Sequence, residues 1–327
     1  MKLVTPDDLI DVYHKTTQRG LQFILSKLNP NAMSRTKSAF SDSAISSANW
    51  WIVPEVRKRW NLKITGDINK DYENYTIDKY FSDRRNLKML SIGSGVCSHE
   101  LKFAASDVFS KITCVDIADN LLIQARRTAE ENNLTNMEFL AVDIWKHEID
   151  PASYDVIFFH SSLHHFDRIS TFVHDKIKPW LAPRGLLIIN EYVGPNRLQF
   201  PKEQIRYINK GLDLLPTKFK TRFKSSFSKN SFYGSGYLRM VIADPSECIE
   251  SAKIIPQIHD DFDIIEEKAY GGNLLMNILK DIAHNFLEET EETKEKLRKL
   301  FDLEDEFLEK NPSDFLFGIY QKKETLH

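Results

Sequence analysis

The apolar positions of the chain follow two rhythms. Between residues 88 and 191, short apolar runs of strand length alternate with longer segments whose apolar residues recur at helical spacing. Runs at 89–92, 112–116 (ITCVD), 139–143 (FLAVD), 156–159 (VIFF) and 186–190 (LLIIN) read as five strands. Helical spacing begins near His99 and recurs at 120–132, where Asp119 is a candidate N-cap. Strands that alternate with helices predict a parallel sheet with helices on both faces. After Glu191 the alternation stops. Two later runs, 262–266 (FDIIE) and 315–320 (FLFGIY), read as a sixth and a last strand, with helical patterns at 273–286 and 288–310 between them.

The flanks have other patterns. Thr5-Pro6-Asp7-Asp8 is a helix start, with proline in the first turn and acids near the positive end. Leu21, Ile24, Leu25 and Leu28 extend that helix towards Asn29-Pro30, which stops it. Residues 31–48, rich in Ser and Ala, read as a link. Trp50 and Trp51 precede a proline-started helix and are costly to leave in water. They anchor the N-terminal helices or roof a cleft. A helix over 72–81 suits the position before the first strand. Residues 196–258 form an insertion. Its segment 218–227 mixes cations with phenylalanines, which reads as an amphipathic helix, or as a lid or patch for an anionic or lipid surface. Phe232-Tyr233-Gly234-Ser235-Gly236-Tyr237 reads as a hinge, and Asp244-Pro245-Ser246-Glu247 as the start of a helix. The resulting organisation is an N-terminal helical cover (1–70), a sheet core (71–195), a helical insertion or lid (196–260) and a C-terminal part of the core (261–327).

Composition narrows the function classes. The 327 residues carry a formal net charge of −3, against the basic excess of general nucleic-acid binders. Acids appear early in MKLVTPDDLIDVYHK and no long apolar run follows, so the start is not a signal peptide. No run approaches the ~20 apolar residues of a membrane span. The three cysteines, Cys97, Cys114 and Cys248, lack metal-ligand spacing and read as buried thiols in a reducing cytoplasm, with no metal.

The chemistry gathers where the first strand ends. Gly93-Ser94-Gly95 turns the chain from strand into helix, the arrangement that lets a backbone approach a nucleotide. Alone, such a turn is equally a tight connection with no ligand. Asp116 decides between them: it ends the second strand about twenty residues on, where a carboxylate accepts from ribose hydroxyls. Asp143 ends the third strand, and His160-Ser161-Ser162-Leu163-His164-His165 follows the fourth. Ligands of such sheets bind beyond the carboxyl ends of the strands, so these segments point at one crevice. A nicotinamide-binding domain would place glycine at Ser98 and leaves Asp143 and the Leu-His-His string unexplained.

On these motifs, and on LAPRGLLIINE, the stretch from Lys88 to Glu191 resembles the class I S-adenosylmethionine-dependent methyltransferases. The glycine turn matches the family's first motif, Asp116 its ribose-binding acid, Asp143 the acid facing the adenine amino group. Cys97 departs from the pattern, standing where a third glycine is common. The resemblance implies a Rossmann-like, doubly wound, mostly parallel seven-stranded α/β sheet with an antiparallel last strand. It implies S-adenosylmethionine held by Gly93, Ser94, Gly95, Asp116, Ile117, Asp143, Ile144, His160 and Ser161. The activity it implies is methyl transfer to a small-molecule acceptor, most simply a hydroxyl, in specialised, carbohydrate or lipid metabolism.

A hydroxyl acceptor must lose a proton, and a histidine is suited to take it. Leu163-His164 resembles the Leu-His pair that carries the base in plant-type O-methyltransferases, while His165 stands where those enzymes have an acid. Both histidines could equally pack or hydrogen-bond near the cofactor. Glu191 is a further catalytic candidate and Tyr192 an acceptor-binding one; a solvated or structural strand end is the plain alternative for both. The rival from another class is a catalytically silent cofactor-binding partner or regulatory subunit, and transfer of another group from the same cofactor is a third reading. No motif fixes the acceptor or the oligomeric state.

Overall fold

The structure is a computed structural model that describes residues 2–10 and 49–323. Residues 6–10 are helical. The rest of the expected N-terminal helix and the link at 31–48 lie outside the described residues.

The apolar runs become seven strands: β1 Leu87–Ile92, β2 Phe109–Asp116, β3 Met137–Ala141, β4 Tyr154–His160, β5 Leu181–Tyr192, β6 Phe262–Gly271 and β7 Phe315–Lys322. They form one sheet in the order β3-β2-β1-β4-β5-β7-β6. β1 pairs in parallel with β2 and β4, as do β2 with β3 and β4 with β5. The last strands are antiparallel, which makes this the Rossmann-like doubly wound sheet expected from the sequence. The chain leaves β1 towards β2 and β3, then returns to place β4 on β1's other side. This reversal is the switch point at which such sheets open a crevice.

Five helices accompany the strands. They are α1 Tyr72–Tyr80, α2 Glu100–Ala104, α3 Asp119–Glu131, α4 and α5 Ile254–Asp261. α4 joins an α turn Ile169–Phe172, a π turn Val173–Ile177 and a closing turn Lys178–Trp180. Asp71 caps α1 by accepting from Asn74 N at 2.9 Å. In α3 the N-cap is Ala118 and Asp119 is the first helical residue, one place on from the expected cap. Leu121, Leu122, Ala125 and Ala129 bury one face of α3, as helical spacing requires. Every residue of β1 except Lys88 is buried, as in a parallel strand covered on both faces. Leu90, Ile92, Ile157, Phe159, Leu187 and Ile189 meet Phe172, Ile177, Ile254 and Ile258 in one core cluster. Each such side chain stabilises the fold by roughly 1.5–3 kcal/mol.

The chain divides into two compact units. A sheet unit comprises residues 70–193, 248–268 and 316–327, and a helical unit comprises 1–69, 194–247 and 269–315. Residues 269–315 thus join the helical unit, although their position between the last two strands suggested the core. Close packing explains the grouping: a side chain at Gly211, in the helix Lys202–Asp213, would run into Ile278 and Leu303. Trp50 anchors this unit, edge-on to Trp60 at 4.5 Å and near Phe315 at 5.0 Å, whereas Trp51 is 50% exposed. The cation-phenylalanine segment is not the expected amphipathic helix. It forms a 3-10 turn Thr217–Lys220 and an antiparallel bridge from Thr221 to Ser228, with Phe219 against Phe286 and Arg222 paired to Asp281 at 2.7 Å. Nor does Asp244 open a helix. It follows the helix Tyr237–Ala243 and accepts from Ser246 N at 2.9 Å, an Asx turn. Among the described residues no helix is long and apolar enough to cross a membrane.

Candidate active site

The glycine turn is built from β1 and β2. Gly93 N and Ser94 N both donate to Val115 O, at 2.7 and 3.2 Å, which folds the turn over the end of β2. Gly93 has φ +73°, and a side chain there would stand 2.6 Å from Ser162 Cβ, so only glycine fits. Gly95 also has positive φ, but nothing lies within 4 Å of where its side chain would point. That is open space beside a half-buried backbone. Cys97 answers the doubt raised by its departure from glycine: it adopts φ +56° with its thiol buried beside Cys114. α2 follows the turn, begins at Glu100 and has five residues.

Asp116 is 7% exposed and binds the turn back to the sheet. Its Oδ2 accepts from Gly95 N at 2.8 Å and its Oδ1 from Ala118 N at 2.7 Å. Burial pushes its carboxyl up, and these backbone donors and nearby His165 work against that. Ile117 follows it, half-buried. Val142 N donates to Asp116 O at 3.1 Å, bringing the segment after β3 to the same edge. β3 ends at Ala141, two residues before the expected boundary, because Asp143 is used to close a turn. Asp143 Oδ1 accepts from Trp145 N at 3.1 Å, its carbonyl from Lys146 N and His147 N, and Oδ2 lies 3.3 Å from Lys146 Nζ. Ile144 beside it is buried.

After β4 the chain turns at Ser161, with φ +47° and its N–H on Asn190 O at 2.8 Å. Leu163–His165 is a single 3-10 turn. Glu191, at the end of β5, is fully buried and organises that turn. Its Oε1 accepts from Ser162 N and from Leu163 N, the latter at 3.0 Å, and its Oε2 meets His164 Nδ1 at 2.8 Å. His164 is buried and His165 half-buried, and their ring centres lie 4.2 Å apart. Tyr192 is buried with its ring edge-on to His164 at 6.2 Å.

The structure therefore brings the glycine turn, Asp116, Asp143 and the 160–165 segment to one edge of the sheet, with Glu191 and Tyr192 behind His164. It also adds residues that sequence reasoning passed over. Tyr72 Oη lies 2.8 Å from His160 Nδ1, and the His99 ring stacks on His160 at 3.5 Å. The signal was weak: an aromatic and a histidine far apart in sequence.

Comparisons with known proteins identify the family. The family described as "Methyltransferase domain" matches residues 83–302, about two thirds of the chain. The release factor glutamine methyltransferase of Francisella tularensis subsp. tularensis (strain SCHU S4 / Schu 4) is 29% identical over 100 residues, or 31% of this chain and 34% of that protein. The chain thus spans about a third of that relative's length. Among solved structures, phosphoethanolamine N-methyltransferase 2 of Haemonchus contortus, in complex with S-adenosyl-L-methionine, is 14% identical with a TM-score of 0.47, covering 89% of this chain and 57% of that one. The [4+2]-cyclase SpnF is 11% identical with a TM-score of 0.49, covering 90% and 98%.

Proposed function

The chain belongs to the methyltransferase-domain family, and from that premise we propose that it carries a methyl group from S-adenosylmethionine to a hydroxyl of a small-molecule acceptor, with His164 taking the proton. The cofactor follows from the family, and the residues fit it. The space above Gly95 is where no side chain stands, and Asp116 keeps a lone pair on each oxygen after its two backbone bonds. Gly93, Ser94 and Gly95 would lie against the cofactor, with Asp116 and Ile117 at its ribose and Asp143 and Ile144 at its base. His160 and Ser161 would complete the site. When bound, S-adenosylmethionine supplies a sulfonium methyl already activated for transfer. The chain's task is then to orient the acceptor, exclude water and hold a proton.

The observation that carries the hydroxyl reading is the pair of His164 with fully buried Glu191. With Nδ1–H donating to Glu191, the lone pair of His164 sits on Nε2. The imidazolium that results is stabilised by a carboxylate withdrawn from water and fixed by two backbone N–H groups. Glu191 touches no open space, so it is a positioning residue for His164. Tyr192 flanks the histidine and would help to seat the acceptor.

A panel of hydroxyl compounds with the His164→Ala enzyme tests this. Turnover should fall ~10²–10⁴-fold while cofactor affinity stays near wild type. His165→Ala should lose less, and an amine acceptor, neutral before reaction, should lose little with either. A His164→Ala enzyme with normal turnover on a hydroxyl would remove the base.

A further inference from the structure

His160 ends β4, and since Phe158 pairs with Ser91 on β1, His160 lies level with Gly93 of the turn. Side chains from two helical segments converge on it. From α1 comes Tyr72, whose hydroxyl meets Nδ1 at 2.8 Å and whose ring lies parallel to the imidazole within 4°. From the segment leading into α2 comes His99, stacked on His160 at 3.5 Å. His99 is itself pinned: its Nδ1 meets Glu73 Oε1 at 2.6 Å. The same Glu73 oxygen takes Lys102 Nζ at 3.0 Å, and Lys102 also reaches Asp71 at 2.8 Å. Glu73 is buried, and its second oxygen has no protein partner. Glu100, beside His99, is buried too and bonded to Ser91 Oγ. Phe158 and Phe317 close the apolar side of Tyr72.

Charging His160 in this setting is unfavourable. Burial comes first, and the neighbouring His99, Lys102 and His164 add to it, so the imidazole is held well below its ordinary range. The carboxylates of Glu73 and Asp71 are taken up by His99 and Lys102 rather than by His160. With Tyr72 donating into Nδ1, the one ring proton sits on Nε2, and the site gains a donor without a charge.

We propose that Tyr72, His99 and Glu73 are positioning residues that keep His160 uncharged, and that uncharged His160 gives the crevice its tolerance for a cationic cofactor. This rests on the cofactor reading above. S-adenosylmethionine carries a sulfonium charge that its product, S-adenosylhomocysteine, lacks, while their amino-acid ends carry the same charges. A cation level with the glycine turn would therefore act selectively on the substrate form.

Calorimetric titration of the full chain with each compound from pH 8 to pH 5.5 tests the proposal. Wild type should lose less than about threefold in affinity for either compound across that range, because His160 stays uncharged in it. Tyr72→Phe, which frees Nδ1 to take a proton, should lose at least about tenfold for S-adenosylmethionine and less than about threefold for S-adenosylhomocysteine. Adding His160→Gln, which cannot charge, to Tyr72→Phe should restore the wild-type profile. If Tyr72→Phe fails to fold, as a thermal melt would show, His99→Gln, which removes the stacked ring, takes its place with the same expectation. A selective loss of S-adenosylmethionine in wild type that His160→Gln removes, or variant profiles identical to wild type, would overturn the proposal. Absence of binding by wild type at every pH overturns the cofactor reading and this proposal together, a result distinct from either.

Discussion

At the scale of single residues, the glycine turn and Asp116 depend on each other. Gly93 is demanded by Ser162, and Gly95 leaves space while its N–H is held by the Asp116 carboxylate. Asp116 thus has a structural duty besides the ribose contact proposed for it. Asp116→Ala should weaken cofactor binding by ~1–3 kcal/mol through lost charge-assisted hydrogen bonds. It should also lower the melting temperature of the cofactor-free chain, because Gly95 N and Ala118 N lose their acceptor. Calorimetry and thermal melting on the same variant separate the two effects. Wild-type affinity in Asp116→Ala would show that this carboxylate does not meet the ligand. The sequence made Asp116 legible by its spacing from the turn. It could not show the second duty, since a bond between Asp116 and Gly95 N exists only once β1 and β2 are paired.

At the scale of elements, the strands were legible because parallel strands covered on both faces are continuous apolar runs, and their ends were misplaced by up to five residues, in part where polar residues close turns. Asp143 is such a case, as β3 stops before it. What the sequence hid was the use made of charged and aromatic residues between elements. Glu191 read as a strand end because its partners lie 27 to 29 residues earlier. Glu266, inside an apolar run, is another. Tyr75 Oη reaches both its oxygens at 2.8 and 2.9 Å, Tyr80 Oη lies at 2.6 Å and Lys79 Nζ at 3.1 Å, so one carboxylate fastens α1 to β6. Burial works against its charge, and these four bonds outweigh it and hold the carboxyl below its usual range. The same setting pushes the Tyr80 hydroxyl up to about 12. Because α1 carries Tyr72 and Glu73, its attachment bears on the site. Glu266→Ala should destabilise the chain by ~1–3 kcal/mol. Amide exchange over Tyr72–Tyr80 should quicken while β1 and β2 stay protected. Unchanged exchange in α1 would mean that apolar packing alone holds the helix.

At the scale of the whole molecule, buried charge makes the two units respond to pH in opposite ways. In the helical unit, burial, with the charge of Glu304 adding to it, pushes the Asp314 carboxyl up to about 7. Burial pulls Lys229 down to about 7, where its amine donates to the carbonyls of Asn277 and Lys280 at 2.5 and 2.7 Å. An unfolded aspartate titrates near ~3.9, so between there and about 7 the folded state binds more protons, and stability falls as pH rises. An unfolded lysine titrates near ~10.4, so from about 7 upward the unfolded state binds more protons, and stability rises with pH. The helical unit should therefore be least stable near neutral pH, with each limb worth up to ~4 kcal/mol. In the sheet unit, His160 is held low, so its unfolded form takes the proton first, and its contribution weakens that unit as pH falls below ~6.5, against the raised carboxyls of Asp116 and Glu100. Denaturant unfolding at acid, neutral and alkaline pH tests this, because Trp50, Trp51 and Trp60 report on the helical unit and Trp145 and Trp180 on the sheet unit. Asp314→Asn should flatten the acid limb of the helical unit and Lys229→Met the alkaline limb, each leaving the other in place. Midpoints that change monotonically with pH, and keep their slopes in both variants, would show that neither buried group is charged by the pH change as its surroundings require.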